Sequence, residues 1–143
     1  MMLKLSPAAL ALASILGCVP PATVSAKLQH ALESGGSSDV VHLADLTDFD
    51  WEIFVVLGPY TTREGAEAAL GFPWPDFERF DLESSDGFSL LVFANDDSVV
   101  RVEHHPRCKP DFAASLLQKP LARSDAVISI DRSTRCPLAR AAD

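Results

Sequence analysis

Trp51-Glu52-Ile53-Phe54-Val55-Val56-Leu57-Gly58-Pro59 is the stretch from which the fold is read. Its β-branched and aromatic residues predict a strand, halted by Gly58-Pro59. Both faces of that strand are mostly apolar, which predicts a central position in a sheet. Next, Thr61-Thr62-Arg63-Glu64 sets a Thr three residues ahead of a Glu, the spacing of a capping box. Gly65-Ala66-Glu67-Ala68-Ala69-Leu70 then predicts a short helix with an Ala and Leu face, closed by Gly71. Phe72-Pro73-Trp74-Pro75 cannot continue it, because each proline removes a backbone donor, so an aromatic loop is expected.

Beyond this loop the pattern predicts a meander of strands over 78–83, 88–94 and 99–105. The turns fall at Ser85-Asp86-Gly87 and Asn95-Asp96-Asp97, residues that tolerate the positive φ angles of tight hairpins. Residues 111–118 predict one or two helical turns, and Ala126-Val127-Ile128-Ser129-Ile130 a last strand. The sum is an α+β domain over 39–143, an antiparallel sheet of about five strands with one or two short helices on one face.

The chain starts Met1-Met2-Leu3-Lys4 and continues uncharged over 5–17, the pattern of a signal peptide. A membrane span needs roughly 20 apolar residues, so this run is short for an anchor. It ends in Ile15-Leu16-Gly17-Cys18, which resembles the lipobox of bacterial lipoproteins. The resemblance implies a signal peptide over 1–17 that is cut before Cys18. It also implies a diacylglycerol on the Cys18 thiol, an acylated amino end, and attachment to the membrane through that lipid. Val19 stands where an Asp would favour inner-membrane retention, which implies the outer membrane if the host is Gram-negative. The competing reading is cleavage after Val24-Ser25-Ala26, a small-residue site that would release a soluble secreted or periplasmic protein. Between anchor and domain, Pro20-Pro21, a weakly helical 25–34 and Gly35-Gly36-Ser37-Ser38 predict a flexible tether over 18–38.

Leu46-Thr47-Asp48-Phe49-Asp50-Trp51 followed by Gly58-Pro59-Tyr60-Thr61 resembles a segment of small exported bacterial proteins, many of them with lipoboxes. The resemblance covers about 46–105 and implies a bacterial envelope setting. It carries over no catalytic residue.

The 143 residues hold 12 Lys and Arg against 20 Asp and Glu, a net charge of -8, with 48% apolar and 22% charged residues. This excludes a disordered acidic tail and a polytopic membrane protein. With no basic cluster to neutralise phosphates, nucleic-acid binding is excluded as well. Of the three cysteines, lipidation of Cys18 would leave Cys108 and Cys136 as an even pair. An oxidising compartment would join them, worth about 3 to 4 kcal/mol by the chain-entropy argument.

Glu103-His104-His105-Pro106-Arg107-Cys108 is the densest chemical cluster. On a strand, Glu103 and His105 share one face and His104 takes the other, so a metal would need a third ligand from elsewhere. Asp45, Asp48, Asp50, Asp96 and Asp97 lack the spacing of a calcium loop. No Gly-x-Ser-x-Gly elbow, phosphate loop or C-x-x-C pair is present. Cys108 between Arg107 and Lys109 has the setting of a low-pKa thiol, unless Cys136 takes it into a disulfide. Phe72, Trp74 and Phe77 are either partner-binding anchors or a plug at the end of the sheet, whereas Trp51 and Tyr60 read as structural. The expectation is a non-enzymatic envelope lipoprotein without metal or cofactor, whose small domain binds an envelope protein in an immunity- or inhibitor-like way. The second reading is a soluble metal-binding protein or enzyme using Glu103, His104 and His105.

Overall fold

In a computed structural model, residues 20–35 and 40–143 are described; the signal segment and Cys18 lie outside them. The stretch from Trp51 builds β2 (Ile53–Leu57), which pairs antiparallel with β3 (Phe88–Ala94) in the middle of the molecule. β4 (Val99–Pro106) flanks β3, and the two-residue β6 (Leu121–Ala122) flanks β2. The result is an antiparallel sheet in the order β4-β3-β2-β6.

Strand side chains alternate between faces, and here both faces are covered. Phe54, Val56, Leu91 and Phe93 face one core, shared with Trp51, Leu116 and Ile128. Val55, Leu57, Leu90 and Val92 face a second core, under α2 (Arg63–Leu70) and the aromatic loop. This two-sided burial is the physical reason for the uninterrupted apolar run in β2 and β3.

The first core is closed by a second sheet, and here the single sheet of about five strands is corrected. β1 (Val40–His42), β7 (Val127–Asp131), β8 (Leu138–Ala141) and β5 (Asp111–Phe112) form it in the order β1-β7-β8-β5, with β5 parallel to β8. The protein is therefore α+β with two four-stranded sheets, one antiparallel and one mixed. Residues 77–80 and 82–84 are 3-10 turns where a strand was expected, because Phe77 and Leu82 both turn into the second core. Residues 111–118 give the short β5 in place of a helix.

α2 is capped by Thr62, one residue later than the spacing suggested: its hydroxyl accepts from Gly65 N–H at 3.1 Å, and Gly71 closes the helix at φ 81°. α1 (Val24–Glu33) departs from the expected tether. Val24 and Leu28 are buried in the first core, so this helix belongs to the folded domain, on the face of the central sheet away from α2. The two helices thus do not share one face.

Candidate functional site

Helix α1 begins against β4, and the contact between them is polar. The first N–H groups of a helix have no partner within it. Here Val24 and Ser25 N–H donate to the Glu103 carboxylate at 3.2 and 2.9 Å, and Ala26 N–H donates to Thr23 Oγ1 at 3.0 Å. A carboxylate at a helix N-terminus is also favoured by the helix dipole. Two residues along β4, on the same face, His105 Nδ1 lies 2.8 Å from Ser25 Oγ, and Nε2 lies 2.9 Å from Pro110 O. A carbonyl only accepts, so Nε2 donates to it; in the neutral ring Nδ1 is then the acceptor of the Ser25 hydroxyl. Burial holds the His105 pKa below its usual value of 6.5, against the opposing pull of the Pro110 carbonyl and Asp111.

A serine hydroxyl on a histidine nitrogen is the grouping of a nucleophile and its base. Ser25 is 4% exposed and His105 1%, so no substrate can reach either. The grouping fastens α1 to β4. His104 points away, with its ring 4.5 Å from Phe88 and 6.1 Å from Phe80. Glu103, His104 and His105 therefore do not converge on one face, as strand alternation requires. Glu103 and His105 are both buried.

Cys108 and Cys136 form a disulfide with Cα atoms 4.7 Å apart. Beside it Asp111 accepts Arg107 Nε and Nη2 at 2.9 and 3.0 Å and Cys108 N–H at 2.8 Å. The hydrogen bonds and charge of Arg107 hold the Asp111 carboxyl below the usual carboxylate range. Cys108, Asp111 and Cys136 are the one trio of ligand-type side chains that converges among the described residues. Their sulfurs are bonded to each other and the carboxylate is held by Arg107.

The aromatic loop is a plug. Trp74 is 6% and Phe77 1% exposed, while Phe72 packs half-buried against the second core. Trp74 meets Phe77 and Phe80 at ring separations of 5.5 and 5.3 Å. Of the two readings offered for Phe72, Trp74 and Phe77, the burial of Trp74 and Phe77 matches the plug at the end of the sheet. Trp51 is buried as expected, its indole N–H on Thr47 Oγ1 at 2.9 Å.

Tyr60 is the aromatic that the sequence reading undervalued. It is 59% exposed and has φ 63°, an outlier for so bulky a residue. Its N–H points at Leu82 O (3.1 Å) and Ser85 O (3.3 Å), which fix the turn. Arg107 donates to Asp86 O at 3.0 Å. Pro59 and Arg107 line a shallow cleft of about 90 Å³ with Ser89 and Phe112. The Gly58-Pro59 turn signal was visible in the sequence; the left-handed backbone at the following tyrosine carries no such mark.

No protein family, characterised protein or solved structure matches this chain.

Proposed function

We propose that this is a lipid-anchored bacterial envelope protein, held by a lipid on Cys18, whose small domain binds another protein through the face formed by Tyr60 and Arg107. The carrying observation is Tyr60 itself: a largely exposed aromatic in a costly backbone conformation, next in the chain to Pro59, which lines a cleft with Arg107. Such strain persists where the surroundings over-determine it, and Tyr and Arg are the residue types that dominate binding hot spots. An immunity- or inhibitor-like role against a basic envelope enzyme or toxin fits the net charge of -8.

The docking of α1 supports cleavage before Cys18 over cleavage after Ala26. The second cut would remove Thr23, Val24 and Ser25, and with them the helix N–H groups that hold the Glu103 carboxylate and the hydroxyl on His105 Nδ1. No helix among the described residues is long and apolar enough to cross a membrane. In Gram-negative hosts the residue after Cys18, Val19, fits the outer membrane.

The test is crosslinking in envelopes of the native host, with intact-mass analysis of the purified chain. A chain starting at Cys18 with acyl mass, and a stoichiometric protein partner lost on Tyr60→Ala, are expected. A lipid-free chain refutes the anchor, and partner capture unaffected by Tyr60→Ala refutes the binding face.

A further inference from the structure

A groove of about 370 Å³ runs along α1, within the size range of small-molecule sites. Ala22, Ala26, Ala31 and Leu46 form its floor and walls, and it is almost wholly apolar. Lys27 borders it, but its ammonium is drawn aside to Leu46 O at 2.7 Å, leaving the alkyl stem along the wall. His30 closes the far end, its Nε2 3.3 Å from Ser34 Oγ. This groove belongs neither to the Tyr60 face nor to the Glu103–His105 grouping.

What could cover it is limited by where the chain leads. Ala22 opens the groove, and Cys18 is four residues upstream, a reach of at most about 14 Å for extended backbone. Resting on the lipid-anchor reading above, we propose that one acyl chain of the lipid on Cys18 lies in this groove. Hydrocarbon gains little by moving between bilayer and groove; the driving force is the apolar groove surface taken out of water. Stable anchoring needs about two chains, so a chain in the groove is compatible with attachment when the Cys18 amino group is acylated as well. The lipid then does more than hold the domain. It fixes α1 at the membrane surface and sets the direction in which the rest of the domain faces.

The experiment uses the full chain in its bacterial host, fed a fatty acid with a photoreactive diazirine in its acyl tail. After irradiation, the protein is purified, weighed intact and digested for peptide mapping. The expected product has monomer mass and joins the Cys18 lipopeptide to the segment after Lys27 that carries Ala31 and Leu46. Ala26→Phe fills the groove and cuts this product about tenfold, equivalent to about 1.4 kcal/mol, with the lipid mass on Cys18 unchanged. Ala22→Phe, outside the helix, does the same without touching α1, and equal melting curves show that both variants are folded. Lipid on Cys18 that crosslinks only to phospholipid, or only to a second copy at dimer mass, overturns the groove assignment and leaves the anchor intact. Absence of lipid on Cys18 overturns the anchor itself, and the groove assignment with it.

Discussion

Ser25 Oγ and His105 Nδ1 lie 2.8 Å apart although 80 residues separate them in the chain. With Glu103 on the N–H groups of Val24 and Ser25, this contact makes a polar latch in a buried setting, where each member depends on the others. Removing one partner leaves another desolvated and unsatisfied, which costs more than the hydrogen bond was worth. Ser25→Ala is expected to lower stability by about 1 to 3 kcal/mol, and Glu103→Ala by more, since two N–H groups lose a charged acceptor. Urea unfolding followed by circular dichroism measures both. Wild-type midpoints for the two variants would show that α1 is not fastened here.

A chain that begins at Lys27 tests the same latch from the other side. It lacks the cap, the buried Val24 and the Ser25 hydroxyl, while Glu103 and His105 stay in place. Losing hydrogen bonds to a charged group and the burial of Val24 costs about 2 to 3 kcal/mol or more. The truncated chain should therefore unfold at clearly lower urea than a chain beginning at Val19. Equal midpoints would remove the structural objection to processing after Ala26.

Acid should weaken the fold in two separate windows. His105 has a folded pKa below 6.5, so the unfolded chain binds its proton first. Stability on this account is full above about pH 6.5 and falls as pH drops from there toward the depressed folded value. Asp111 is depressed by Arg107, so its contribution is present above 3.8 and is lost as pH falls through its lower folded value. His105→Gln should flatten the first decline and Asp111→Asn the second, each read from melting temperature against pH. A first decline that survives His105→Gln would assign it to another group.

The disulfide closes a long loop between cysteines 28 positions apart, and joins the segment after β4 to the segment before β8. Cys108→Ser with Cys136→Ser is expected to cost about 3 to 4 kcal/mol. Calorimetry of the double variant, compared with the oxidised and the reduced wild type, checks this; the reduced wild type should match the variant.

How much of this could be read from residues alone follows from how local each signal is. β3 and β4 were readable because apolar runs of strand length are separated by Asn95-Asp96-Asp97, and α2 because Gly71 ends it. α1 offered only Val24 and Leu28 at helical spacing; its other support is Glu103 and His105, far along the chain. β1 and β8 are short, and β8 is Leu138-Ala139-Arg140-Ala141, with one residue in four fully buried. Such strands exist through their pairing with β7, which no local pattern encodes. Glu103 and His105 were rightly assigned to one strand face, but that face looked open because the helix covering it read as a tether.

Tyr60 yields the prediction that separates function from stability. A left-handed backbone costs a non-glycine residue about 1 to 2 kcal/mol, whereas glycine gives up about 0.5 to 1 kcal/mol in chain entropy. Because the Tyr60 side chain is 59% exposed, little packing is lost on its removal. Tyr60→Gly should therefore raise stability slightly, by about 0.5 to 1 kcal/mol, while abolishing capture of the envelope partner. Tyr60→Ala keeps the strain and should lose the partner without the gain in stability. Melting temperature and quantitative crosslinking on the same three proteins decide the matter. If Tyr60→Gly is less stable than the wild type, the tyrosine is a structural residue, and its conformation says nothing about a partner.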